Sequence, residues 1–203
     1  MEQEIVQCVL AIFEDDDAIR DALRQRRLVW FIISAMNTPH VPTRTLLCKW
    51  IMFLIAWPEG KALGTPAMVM EALEKLSVDN PNPEATTQGS GGDNPYDYWF
   101  RSFEVTLAGR GKFGSLVGAS KDVRMAGQDS SLDEYAFCNV TMLIAILGSL
   151  QDLDARLNHR AMLQLAGLPR ITKLLRELDI DRVNDKLKML QSILDEDFRQ
   201  LSK

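Results

Sequence analysis

Few residues in this chain have the type and spacing that chemistry requires. Gly109-Arg110-Gly111-Lys112-Phe113-Gly114 matches the G-x-G-x-x-G dinucleotide fingerprint. That motif works only between a strand and a helix whose N-terminus faces a pyrophosphate. Here a helical pattern precedes it, and residues 115–118 are a poor helix start. The Gly-Lys-[Ser/Thr] triplet of a phosphate-binding P-loop is also absent, so the segment reads as a Gly-rich connector with a basic tip. His40 and His159 are the only histidines, and neither has metal-ligand spacing to a cysteine or to the other. His40 falls between Pro39 and Pro42, where exposure is expected, and His159 beside Arg160 reads as a hydrogen-bonding residue. Cys8, Cys48 and Cys138 lie far apart among apolar residues, as reduced core thiols do. The runs Asp15-Asp16-Asp17 and Asp195-Glu196-Asp197 read as solvated helix ends. The expectation is a protein with no catalytic residues, no metal and no cofactor, and hence not an enzyme.

The elements that position these residues carry more information. At 203 residues and 46% hydrophobic content the chain can bury a core, and we read residues 1–203 as a single domain. A net charge of -5 gives no global reason to bind nucleic acid. The start Met1-Glu2-Gln3-Glu4 lacks the basic region of a signal peptide. The apolar stretch 46–57 is interrupted by Lys49 and closed by Pro58, short of the ~20 residues a membrane span needs. A soluble, cytoplasmic chain is expected.

Residues 131–201 read as four amphipathic helices in series. Ser131 with Glu134 suggests a capping box for the first, and Ser149 with Asp152 a weaker one for the second. Ala166-Gly167-Leu168-Pro169 is a stop followed directly by a restart. The third helix is expected over 170–178, and the fourth starts at Asp181 with apolar residues Val183, Leu187, Leu190, Leu194, Phe198 and Leu201 at helical spacing. The first part repeats the theme: Ile5, Val9, Ile12 and Phe13 in one helix, then helices over 18–24 and 28–36. Pro39 and Pro42 predict a break. A helix over 43–57, apolar on nearly every side, should end at Pro58-Glu59-Gly60, and Thr65-Pro66 opens another. Residues 78–95 have almost no apolar content and read as a disordered insertion loop. Tyr96-Asp97-Tyr98-Trp99-Phe100 starts an aromatic helix, and 109–130 reads as an irregular connector.

Short helices in threes, in units of roughly forty residues with Pro and Gly punctuation, predict an all-α armadillo or HEAT-like solenoid. Such arrays bind partners along a groove lined by the last helix of each unit. The many-sided apolar run 43–57 has more apolar positions than one core face can hold, so some are expected in that groove.

Three segments resemble the amino-terminal armadillo regulatory region of formins, the diaphanous-related actin nucleators, and most closely its fungal form. They are Tyr96-Asp97-Tyr98-Trp99-Phe100; Gly109 to Ser120 around Gly111-Lys112-Phe113-Gly114; and Leu150-Gln151-Asp152-Leu153-Asp154-Ala155-Arg156, continuing through His159-Arg160 and Ala166-Gly167-Leu168 to Leu194-Asp195-Glu196-Asp197. The resemblance implies the formin homology three, or diaphanous inhibitory, region. It implies as partners an amphipathic autoregulatory helix from the formin carboxy-terminus, bound in the groove, and a Rho-type GTPase that relieves the inhibition. Residues 6–13, 49–57 and 139–147 would then be the groove helices, with Leu10, Phe53, Ala56, Thr141 and Ile144 as lining positions. Animal members carry a small residue where Phe53 stands. The expected setting is the cell cortex, polarity sites or division site. Taken alone, the chain reads as a fragment or abbreviated product without actin-assembling or proline-rich segments, reaching actin only through other domains and a Rho-type GTPase weakly. The rival expectation is a generic armadillo or HEAT interaction scaffold.

Overall fold

The computed structural model describes residues 15–81, 94–109 and 121–201, together with the helical positions 4, 7 and 11. Among them every regular element is helical. Most of the expected first helix, most of the 78–95 loop and residues 110–120 lie outside the described residues.

Helix α1 (Asp16–Arg24) starts where the acidic run predicts. The Asp15 carboxylate accepts from the Asp17 N–H at 2.9 Å, and Asp16 and Asp17 occupy the first turn, where negative charge suits the helix dipole. α2 (Arg27–Ser34) runs into a 3-10 turn, Ala35–Asn37. α3 (Val41–Ala56) carries Pro42 in its first turn, where a missing N–H leaves no bond unmade. Pro42 therefore opens this helix instead of prolonging the break. His40 is half-buried, not exposed as expected, and its Nδ1 lies 2.7 Å from Thr43 Oγ1. Pro58 ends α3 as expected but also begins a short helix, α4 (Pro58–Ala62). Gly64 takes φ +79° ahead of α5 (Thr65–Asp79), and α6 (Asp97–Ala108) carries the aromatic segment.

The closing third forms α7 (Lys121–Ser149), α8 (Leu153–Ala166), α9 (Leu168–Glu177) and α10 (Asp181–Leu201). Gly167, at φ +109°, ends α8 and leads straight into α9, with Pro169 in the first turn of α9. Three details correct the sequence reading. Residues 121–130 are helical, so Ser131 and Glu134 fall inside α7 and cap nothing. Asp152 alone caps α8, accepting from the Ala155 N–H at 2.9 Å, while Ser149 donates to the Ile146 carbonyl. Asp197 is not a solvated end: it is 3% exposed and paired with Arg156.

Helix α3 packs principally on α7, and α10 packs on the other side of α7. Around this row α2 lies on α5 and α9 on α6. Cys48, Ile51, Leu54 and Ile55 of α3 meet a core that includes Ala136, Val140, Leu143 and Leu147 of α7 and Leu187, Leu190 and Leu194 of α10. The stretch Ser131–Ser149 has the length and composition of a membrane span, yet here it is the central packing helix, with 61% of it buried. Cys48 and Cys138 are free and buried, and burial raises both thiols, Cys138 to about 11. Protonated at neutral pH, they pack as small hydrophobes.

Candidate interaction face

The row of α3, α7 and α10 presents one outer face. On α3, Cys48, Ile51, Leu54 and Ile55 turn inward, so Lys49, Phe53 and Ala56, spaced four and three apart, are exposed. Phe53 is 41% exposed. Its ring lies 5.5 Å from Trp50 in an edge arrangement and 6.2 Å from Trp57 in a stacked one. Three aromatic rings thus form a row along α3, a large apolar surface of well-defined shape.

On α7 the partly exposed stripe is Phe137, Thr141 and Ala145, ending at the exposed Gly148. The Thr141 hydroxyl donates to the Phe137 carbonyl at 2.7 Å, which satisfies it within the helix. α10 contributes Arg182, Lys186 and the exposed Met189, again spaced by four and three. One carboxylate ties the three helices together. Glu134 accepts Lys49 Nζ at 2.7 Å on one oxygen and Arg182 Nη1 at 2.7 Å on the other. The Lys49 hydrogen bond first, and the Arg182 bond with it, hold the Glu134 carboxyl below the usual carboxylate range. The Arg182 guanidinium sits 5.1 Å and the Lys186 ammonium 5.6 Å from the centre of the Phe137 ring.

Of the residues expected to line a groove, Phe53, Ala56 and Thr141 fall on this face. Ile144 is 8% exposed and belongs to the core beneath it. Leu10 lies outside the described residues. Sequence reasoning missed Trp50, Trp57, Phe137 and the α10 cations. The Arg182, Lys186, Met189 spacing was the available signal, overshadowed by the stronger apolar stripe on the buried side of α10.

The motif residues lie elsewhere and join different helices. The Tyr96 hydroxyl lies 2.7 Å from His159 Nδ1, linking α6 to α8. Arg156 donates to Asp197, to the carbonyls of Leu150 and Gln151, and to Gln200, tying α8 to α10. Arg160 donates to the Leu194 carbonyl at 2.8 Å and lies 4.1 Å from the centre of the Phe198 ring. Arg44 of α3 is 5% exposed and donates to Ser102, Thr106 and Tyr135. Among the described residues no group of three or more His, Cys, Asp or Glu side chains is placed to hold a metal ion. Gly109 closes α6, so the G-x-G-x-x-G segment does follow a helix.

Helices packed in series around the row of α3, α7 and α10, which share one outer face, define an all-α armadillo-like repeat domain. The chain belongs to the Diaphanous FH3 domain family, whose model matches residues 96–203. It is 31% identical over 173 residues to Cytokinesis protein sepA of Emericella nidulans, a match covering 84% of this chain and 9% of that protein. It is 31% identical over 100 residues to Protein BNI1 of Saccharomyces cerevisiae, covering 49% of this chain and 5% of that protein. The chain thus corresponds to a small part of these relatives. No solved structure matches it.

Proposed function

We propose that this domain is a non-catalytic regulatory module of a formin that binds an amphipathic helix along the face of α3, α7 and α10. The bound segment is the formin's own carboxy-terminal autoregulatory helix. The observation that carries the reading is the aromatic row Trp50, Phe53 and Trp57, with Phe53 exposed and both tryptophans half-buried, beside the partly exposed stripe of α7. A helix docked by apolar anchors at helical spacing fits such a surface. Membership of the FH3 family supports the formin setting, as does similarity to a protein named for cytokinesis. In the full-length protein the module answers to Rho-type GTPase signalling and places the formin at the cortex or division site.

Hydroxyl-radical footprinting with a peptide of the autoregulatory helix tests this reading. Phe53, Trp57 and Phe137 should lose oxidation when the peptide binds. Phe31 and Leu165, at 64% and 77% exposure on other surfaces, should not. Protection of Leu165 with none at Phe53 would move the binding site off this face.

A further inference from the structure

The face that the proposed function assigns to a helical ligand is chemically lopsided. Its α3 side carries the aromatic row together with Lys49, its α10 side carries Arg182 and Lys186, and the Glu134 carboxylate of α7 stands between Lys49 and Arg182. Lys49 and Arg182 share that carboxylate. Among the described residues Lys186 has no carboxylate partner, only the Phe137 ring. The nearby acids of α10 are turned to its other flank, where Asp185 pairs with Lys188 at 2.8 Å. A chain with a net charge of -5 therefore concentrates cations on the face that carries the exposed Phe53 and the half-buried rings of Trp50, Trp57 and Phe137.

Resting on that assignment, we propose that the ligand helix is acidic at one end and that a carboxylate of the ligand docks between Arg182 and Lys186. The apolar anchors then lie over Trp50, Phe53 and Trp57, and the charge at one end fixes the direction of the ligand along the face. Opposite charges placed across an interface act mainly by selecting partner and register and by speeding encounter. Two cations sharing one Glu134 cannot both be neutralised by it, and a cation resting on an aromatic ring keeps its full charge for a ligand. The ligand carboxylate completes the pairing.

The test is fluorescence anisotropy with the autoregulatory-helix peptide at low and moderate salt. The proteins are wild type, Lys186→Glu, Arg182→Gln and Phe53→Asp, each checked by circular dichroism for an intact fold. The proposal expects roughly tenfold weaker binding for Lys186→Glu, loss of most of the salt dependence, and partial rescue by a peptide whose acidic residue is changed to lysine. Unchanged affinity in Lys186→Glu and Arg182→Gln, with salt-insensitive binding that Phe53→Asp still abolishes, would overturn the charge proposal and leave the face intact. Binding unaffected by Phe53→Asp, or no binding by wild type, would remove the assignment of the face and the charge proposal with it.

Discussion

Arg156 Nε lies 2.7 Å from Asp197 Oδ1, across 41 residues of chain, and both side chains are largely shielded from water at 17% and 4% exposure. The remaining guanidinium nitrogens are taken by two carbonyls and by Gln200, so the charge on α8 is fully satisfied by the turn before it and by α10. Removing one member of such a pair leaves the other buried without compensation. Asp197→Ala is expected to cost about 3 kcal/mol in denaturant unfolding. Asp195→Ala, at an exposed neighbour, should change stability by less than about 0.5 kcal/mol. Equal losses in the two variants would contradict the clamp.

His159 makes stability depend on pH. Burial lowers its pKa, because desolvation disfavours the charged ring. In the unfolded chain the ring takes a proton near its ordinary value, about 6.5. As pH falls through that value the unfolded state binds the proton first, so native stability declines until the lower folded pKa is passed. His159→Gln should flatten this part of the profile when unfolding is compared at neutral and mildly acidic pH. A variant profile parallel to that of wild type would show that burial of His159 does not govern it.

Arg44 is a buried cation whose bonds run to hydroxyls and to the Pro39 carbonyl, with its Nε unpartnered. A desolvated charge held this way contributes little net stability, while the volume it fills matters. Arg44→Met should unfold within about 1 kcal/mol of wild type. Arg44→Ala, which opens a cavity between α3, α6 and α7, should lose about 3 kcal/mol. A thermal-melt series giving the methionine variant the larger loss would mean that the hydroxyl network is the stronger contributor.

Legibility from sequence followed the range of the interaction involved. Gly167 and Pro169 set a stop and restart through backbone preferences confined to their own residues, and the structure has both where the chain has them. Asp15 and Asp152 likewise cap the helices they precede. Glu134 misled because a capping box and a mid-helix glutamate look alike when the residues upstream lack an apolar stripe. Asp197 misled because three acidic residues in a row suggest solvent, and only the distant Arg156 makes one of them buried. The outer face was half visible. Excess apolar positions on α3 pointed to Phe53 and Ala56, whereas the bridge from Lys49 through Glu134 to Arg182 joins residues up to 133 positions apart and leaves no local trace.

The central claim is that an amphipathic helix seats on the α3, α7 and α10 face. It is tested most directly by titrating the labelled carboxy-terminal autoregulatory peptide against wild type, Phe53→Asp and the surface control Leu165→Asp. The account predicts saturable binding to wild type and to Leu165→Asp, weakened at least about tenfold in Phe53→Asp, where a carboxylate would be buried without a partner. Equal binding to all three proteins would contradict it.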